Sequence, residues 1–118
     1  MAFKFESLRV WKEAIEFSDE VYMLSTDFPY SELFGLTSQI RRAVNSISLN
    51  IAEGATGNTN PEFKRFLNIA SRSCAEVVTC LYISIRRNYI DQTKFTSAYA
   101  KAEIVFRMIN KLKATLKT

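Results

Sequence analysis

Histidine is absent from the 118 residues. That removes the usual general base, the Ser–His and Cys–His nucleophile pairs, and the commonest metal ligand. The di-iron site of helical bundles, built on two Glu-x-x-His motifs, goes with it. Only three glycines (Gly35, Gly54, Gly57) and two prolines occur. The glycines match neither nucleotide-binding fingerprint, and so few breakers exclude a chain of many short strands and turns. The two cysteines, Cys74 and Cys80, are six residues apart. On one helix they stand about 9 Å apart along the axis and cannot bridge. They also lack zinc spacing, and in their apolar runs they read as small buried hydrophobes in a reducing cytoplasm. No stretch nears the roughly 20 apolar residues of a bilayer span, so no membrane partner is expected. The first nine residues carry Lys4, Glu6 and Arg9 without an apolar core, so no secretory signal is expected either. Nothing places Glu53 and Glu76 together as a carboxylate pair. The chain therefore reads as non-enzymatic, with no catalytic residue, no metal and no cofactor.

What is present is helical periodicity. Apolar residues make up 47% and charged residues 24%, ordinary for one globular domain of this length. The first helix is expected over residues 8–26, with Val10, Ala14, Phe17, Val21 and Leu24 at spacings of three and four. Ser7 reads as its N-cap, and Phe28-Pro29 as its stop. The second is expected over 33–53, on Leu36, Ile40, Ala43, Val44, Ile47 and Ile51. Ser31 or Glu32 opens it, and Gly54 ends it as a C′ residue. A small, polar linker of residues 55–59 follows. Asn60-Pro61 then reads as N-cap and N1 of the third helix, with Thr59 to Glu62 as a competing capping box. The third helix is expected over 61–87, on Phe63, Leu67, Ala70, Cys74, Val77 and Leu81. Asp91 caps a fourth over 91–116, whose seam runs through Phe95, Ala98, Ala102, Val105, Ile109, Leu112 and Leu116. Short connections make successive helices antiparallel neighbours, so the fold class is an all-α, up-down-up-down four-helix bundle.

Two helices carry more apolar surface than one bundle hides. Ile69, Cys80 and Ile83 lie outside the third helix's main stripe, and Ile104 and Met108 outside the fourth's. A second copy of the chain would bury them; an unusually thick core or scattered surface residues would also account for them.

Charge is uneven. Residues up to Glu32 sum to −4 and the remainder to +8, which fits a polyanion partner or head-to-tail contact between copies. On the third helix Lys64, Arg65, Arg72 and Arg86 fall within about a 100° arc. Arg41, Arg42 and Arg87 lie on or beside neighbouring segments. Such a stripe either tracks phosphates or is a solvated helix face. Ser46, Asn50 and Glu53, at i, i+4 and i+7, form an unusual polar row on the second helix. It either bonds to a neighbouring helix or loop, or forms a ligand site.

Three blocks carry a family resemblance. They are Leu8-Arg9-Val10-Trp11-Lys12; Phe34-Gly35-Leu36-Thr37-Ser38-Gln39-Ile40-Arg41-Arg42-Ala43; and Asn50-Ile51-Ala52-Glu53-Gly54, followed by Glu62-Phe63 and the segment from Arg65 to Ala70. In order and spacing the chain resembles the 23S ribosomal RNA intervening-sequence proteins over roughly residues 5–116. The resemblance implies a four-helix bundle that assembles as a homopentamer and is encoded within insertions in ribosomal RNA genes. A related branch serves reverse transcriptases of diversity-generating retroelements. The partners it implies are further copies of the chain and RNA or a nucleic-acid-processing protein. By the same resemblance Arg41 and Arg42 match a paired basic site, and Asn50, Glu53 and Gly54 a helix-end motif. Gly57 stands where the family usually has an arginine, and Arg72-Ser73 where a Gly-Ser pair is common.

Overall fold

The structure, a computed structural model, describes residues 1–57 and 59–117; Asn58, in the expected second linker, and Thr118 lie outside them. The described residues form four helices and no strand: α1 (Arg9–Ser25), α2 (Leu36–Ala55), α3 (Asn60–Arg86) and α4 (Gln92–Thr115), with short 3₁₀ turns at Lys4–Ser7 and Tyr30–Glu32. Contacts fix their directions. Along α1–α2, Ser18 bonds to Val44 and Arg41 to Ser25. Along α3–α4, Asn110 meets Ser71 and Lys113 meets Asn68. In each seam one number rises as the other falls, so neighbours run antiparallel.

The stripes expected from periodicity are the core. Phe17, Ile40, Ile47, Ile51, Leu67, Leu81 and Ile109 are wholly buried. Each such side chain contributes about 1.5–3 kcal/mol through removal from water. No helix among the described residues is long and apolar enough to cross a membrane.

Helix ends depart from expectation, because capping depends on which nearby side chain reaches the free N–H groups. Ser7 is not the cap of α1; its hydroxyl donates to the Lys4 carbonyl at 2.9 Å inside a 3₁₀ turn, and Leu8 occupies the cap without a side-chain bond. Phe5 of that turn packs on Trp11 at 5.0 Å between centroids. Neither Ser31 nor Glu32 begins α2 directly. Glu32 instead reaches forward, its carboxylate accepting from the Leu36 N–H at 3.1 Å. Thr59, rather than Asn60, caps α3, and Asp91 caps α4 as expected.

Gly54 is corrected more substantially. It does not terminate α2, which continues to Ala55, but sits buried where α2 meets α3. A Cβ there would lie 2.8 Å from both the Phe63 ring and the Phe66 Cβ. Glycine is needed for close approach of two helices rather than for a left-handed cap. Gly54→Val should therefore destabilise the fold by roughly 2–3 kcal/mol through overpacking. A urea titration checks this, with an unchanged midpoint as the contrary result.

Candidate nucleic-acid interface

The anions of the N-terminal third are largely taken up within the chain. Lys101 of α4 bonds Glu13 and, at 3.1 Å, Glu16 of α1. Lys94 pairs with Asp27 at 2.6 Å, and Ser97 donates to Glu20 at 2.9 Å. The hydrogen bond to Glu13 holds the Lys101 ammonium above its ordinary pKa, and the bond to Asp27 does the same for Lys94. The α1–α4 seam is thus electrostatically matched.

The opposite side is not. Helical geometry puts Arg65, Arg72 and Arg86 on the outward face of α3 and Arg42 on the outward face of α2. Arg42, Arg72 and Arg86 are exposed and pair with no carboxylate among the described residues. Arg65 is exposed but pairs with Glu62 at 3.2 Å and lies over the Phe66 ring at 4.6 Å. Lys64 is half-buried. Arg41 and Arg42 part company, since neighbours in a helix diverge by about 100°. The Arg41 guanidinium packs over the Tyr22 ring at 4.2 Å and donates to the Ser25 hydroxyl at 2.8 Å.

Arg87 belongs to the end of the bundle. Its guanidinium and the Tyr89 hydroxyl both donate to the second carboxylate oxygen of Glu32, at 3.1 and 2.9 Å. Together with the Leu36 N–H, these bonds hold the Glu32 pKa below the ordinary glutamate value; the backbone bond is the largest cause and Tyr89 the next. A depressed carboxylate pKa adds stability that is complete above the unfolded-state value and lost as pH falls through the folded-state value. Glu32→Gln should accordingly flatten the acid limb of stability, and thermal melts from neutral pH down to about pH 3 measure it. Periodicity gives no hint of Glu32, because it lies between helices. The sequence signal for it is its place as a residue that opens the second helix, four before Leu36.

The polar row on α2 resolves into a link between helices. Asn50 donates to the Ser46 carbonyl and hydroxyl at 2.8 and 2.9 Å, and the Ser73 hydroxyl of α3 donates to Ser46 at 2.9 Å. Glu53 is exposed in the last turn of α2, beside Gly54. Of the residues expected on a second apolar face, Ile104 is 44% exposed, while Ile69, Ile83 and Met108 are half-buried. Cys80 is corrected: at 2% exposure it belongs to the core of a single chain, because α2 packs over the side of α3 that also carries Ser73 and Ser84. Burial pushes the Cys80 thiol up to about 11 and the Cys74 thiol up to about 12. Both stay protonated at neutral pH and are poor nucleophiles or ligands. No three metal-ligating side chains gather among the described residues.

The family model for the 23S rRNA-intervening sequence protein matches residues 6–111. The chain belongs to that family. Its fold is also similar to a crystal structure from Bacteroides thetaiotaomicron, a protein of unknown function from the S23 ribosomal protein family, with a TM-score of 0.83 and 24% identity over 90% of this chain and 99% of the other. No curated protein matches. Within this 23S rRNA-intervening sequence bundle, Gly35-Leu36 is the segment that Glu32 fastens, and Gly54 with Ser46 marks the α2–α3 contact.

Proposed function

We propose that the chain is a non-enzymatic, self-associating RNA-binding accessory protein whose cationic face is the outer side of α2 and α3. One observation supports this above the others: Glu13, Glu16 and Glu20 of α1 are engaged by α4, whereas Arg42, Arg72 and Arg86 carry no carboxylate partner among the described residues. Unpaired guanidinium groups on the outer faces of neighbouring helices suit a phosphate backbone, which they contact bidentately. The family description, which names 23S rRNA, favours the same polyanion.

Self-association draws support from the two flanks of α4. Leu8, Ile104 and Met108 line an open apolar groove toward α1, and Val78, Tyr99 and Phe106 line another toward α3. Two unlike apolar surfaces fit a heterologous contact repeated around a ring; five copies is the ring size that the family resemblance implies. In that assembly the arginine stripe multiplies.

Equilibrium binding of RNA over a salt series tests the reading. Log affinity should fall linearly with log salt. Absence of RNA affinity at about 50 mM salt, with a multimeric mass by light scattering, would favour a protein scaffold instead. Ile104→Asp should reduce the scattering mass while leaving helicity intact, and an unchanged mass would remove α4 from the contact.

A further inference from the structure

At the corner where α1 turns into α2, the surface folds into a cleft of about 220 Å³ lined by Ser25, Pro29, Tyr30, Leu33, Thr37 and Arg41. It lies below the roughly 300–1,000 Å³ of a drug-sized site, which suits one flat ring and excludes a base pair. Its lining includes a cation and no carboxylate. One lining aromatic, Tyr30, stands almost bare to water at 84% exposure. Thr37 provides an independent sign. It is only 4% exposed, yet its hydroxyl forms no hydrogen bond with a described residue. No side-chain oxygen or nitrogen among the described residues is both sealed from the surface and unpaired. The Thr37 hydroxyl therefore meets the surface, and the surface it lines is the cleft. Arg41 is held there by Tyr22 and Ser25 with one terminal nitrogen still unbonded among the described residues.

From this geometry we infer a binding site for a single unpaired nucleotide of RNA, resting on the RNA-binding reading above. A base stacks on Tyr30, the Thr37 hydroxyl bonds its edge, and Arg41 contacts a phosphate or a base carbonyl. Unpaired bases are read in this way, by stacking together with donors that a duplex cannot reach. The arginine stripe of α2 and α3 tolerates either form of RNA; the cleft selects the single-stranded one.

Fluorescence anisotropy with a labelled, mixed-sequence RNA of about 12 nucleotides, alone and annealed to its complement, provides the test. The native protein should prefer the single strand. Tyr30→Ala should weaken single-strand binding about tenfold and leave duplex binding unchanged. Thr37→Val removes the hydroxyl at nearly constant shape. It should weaken single-strand binding several-fold without lowering the melting temperature, because an unpaired hydroxyl contributes nothing to the fold. Equal affinity for both RNAs, unaffected by either substitution, overturns this inference and leaves the stripe intact. Loss of multimeric mass in Tyr30→Ala overturns it in favour of a contact between copies. Failure of the native protein to bind any RNA removes the broader reading and the cleft with it.

Discussion

Ile47→Asp is expected to leave the chain unfolded at neutral pH. Ile47 is wholly buried in the middle of α2 and faces the other helices. The substitution removes apolar packing costing about 2–5 kcal/mol and introduces a carboxylate whose burial without a partner costs several kcal/mol more. Domains of this kind have only about 5–15 kcal/mol of net stability, so the sum approaches the whole. Ile47→Val is the matched control, losing about 0.5–1.5 kcal/mol and keeping its fold. Far-ultraviolet circular dichroism distinguishes the two. A native spectrum and melt for Ile47→Asp would mean that α2 does not present this face to the core.

Combined reversal of Arg42, Arg72 and Arg86 to glutamate is expected to have the largest effect on binding. All three are exposed and lack carboxylate partners among the described residues, so the fold should be indifferent to them. If each meets one phosphate, the slope of log affinity against log salt should shrink by about 2–3. At about 50 mM salt the affinity should fall on the order of 100-fold, since fewer counterions are released. Arg65→Glu alone should matter less, because Arg65 already shares its charge with Glu62. A slope unmoved by the triple variant would place RNA on another face.

The core was legible because burial follows helical period. Val10, Ala14, Phe17, Val21 and Leu24, for example, are all buried in α1. Three things escaped the pattern for physical reasons. Helix starts depend on side chains that reach back or forward, as Glu32 does for Leu36 and Thr59 for Glu62. Gly54 carries the same letter whether it ends a helix or lets two helices touch, and only the position of Phe63 and Phe66 tells them apart. Cys80 lies off the main stripe of α3, yet α2 covers it, because a bundle helix has two neighbours and therefore a buried arc wider than one row. The candidate interface was legible in part. The exposed arginines of α3 could be placed by angle, but Arg41 turned sideways onto Tyr22 of α1. The aromatic corner at Tyr30 and Phe34 lies in a connection, where periodicity is silent.

The tight seam between α2 and α3 has a dynamic consequence. Gly54 lets the backbones approach, and a hydrogen bond from Ser73 to Ser46, itself held by Asn50, joins them. The α1–α4 seam is joined instead by long lysine side chains beside an open groove. Amide protons of the α2–α3 hairpin should exchange last, while α4 peels away from α1 in the cheapest partial opening. The bundle is then a stiff two-helix spine with a looser pair, and it breathes along the α4 edge proposed above for contact between copies.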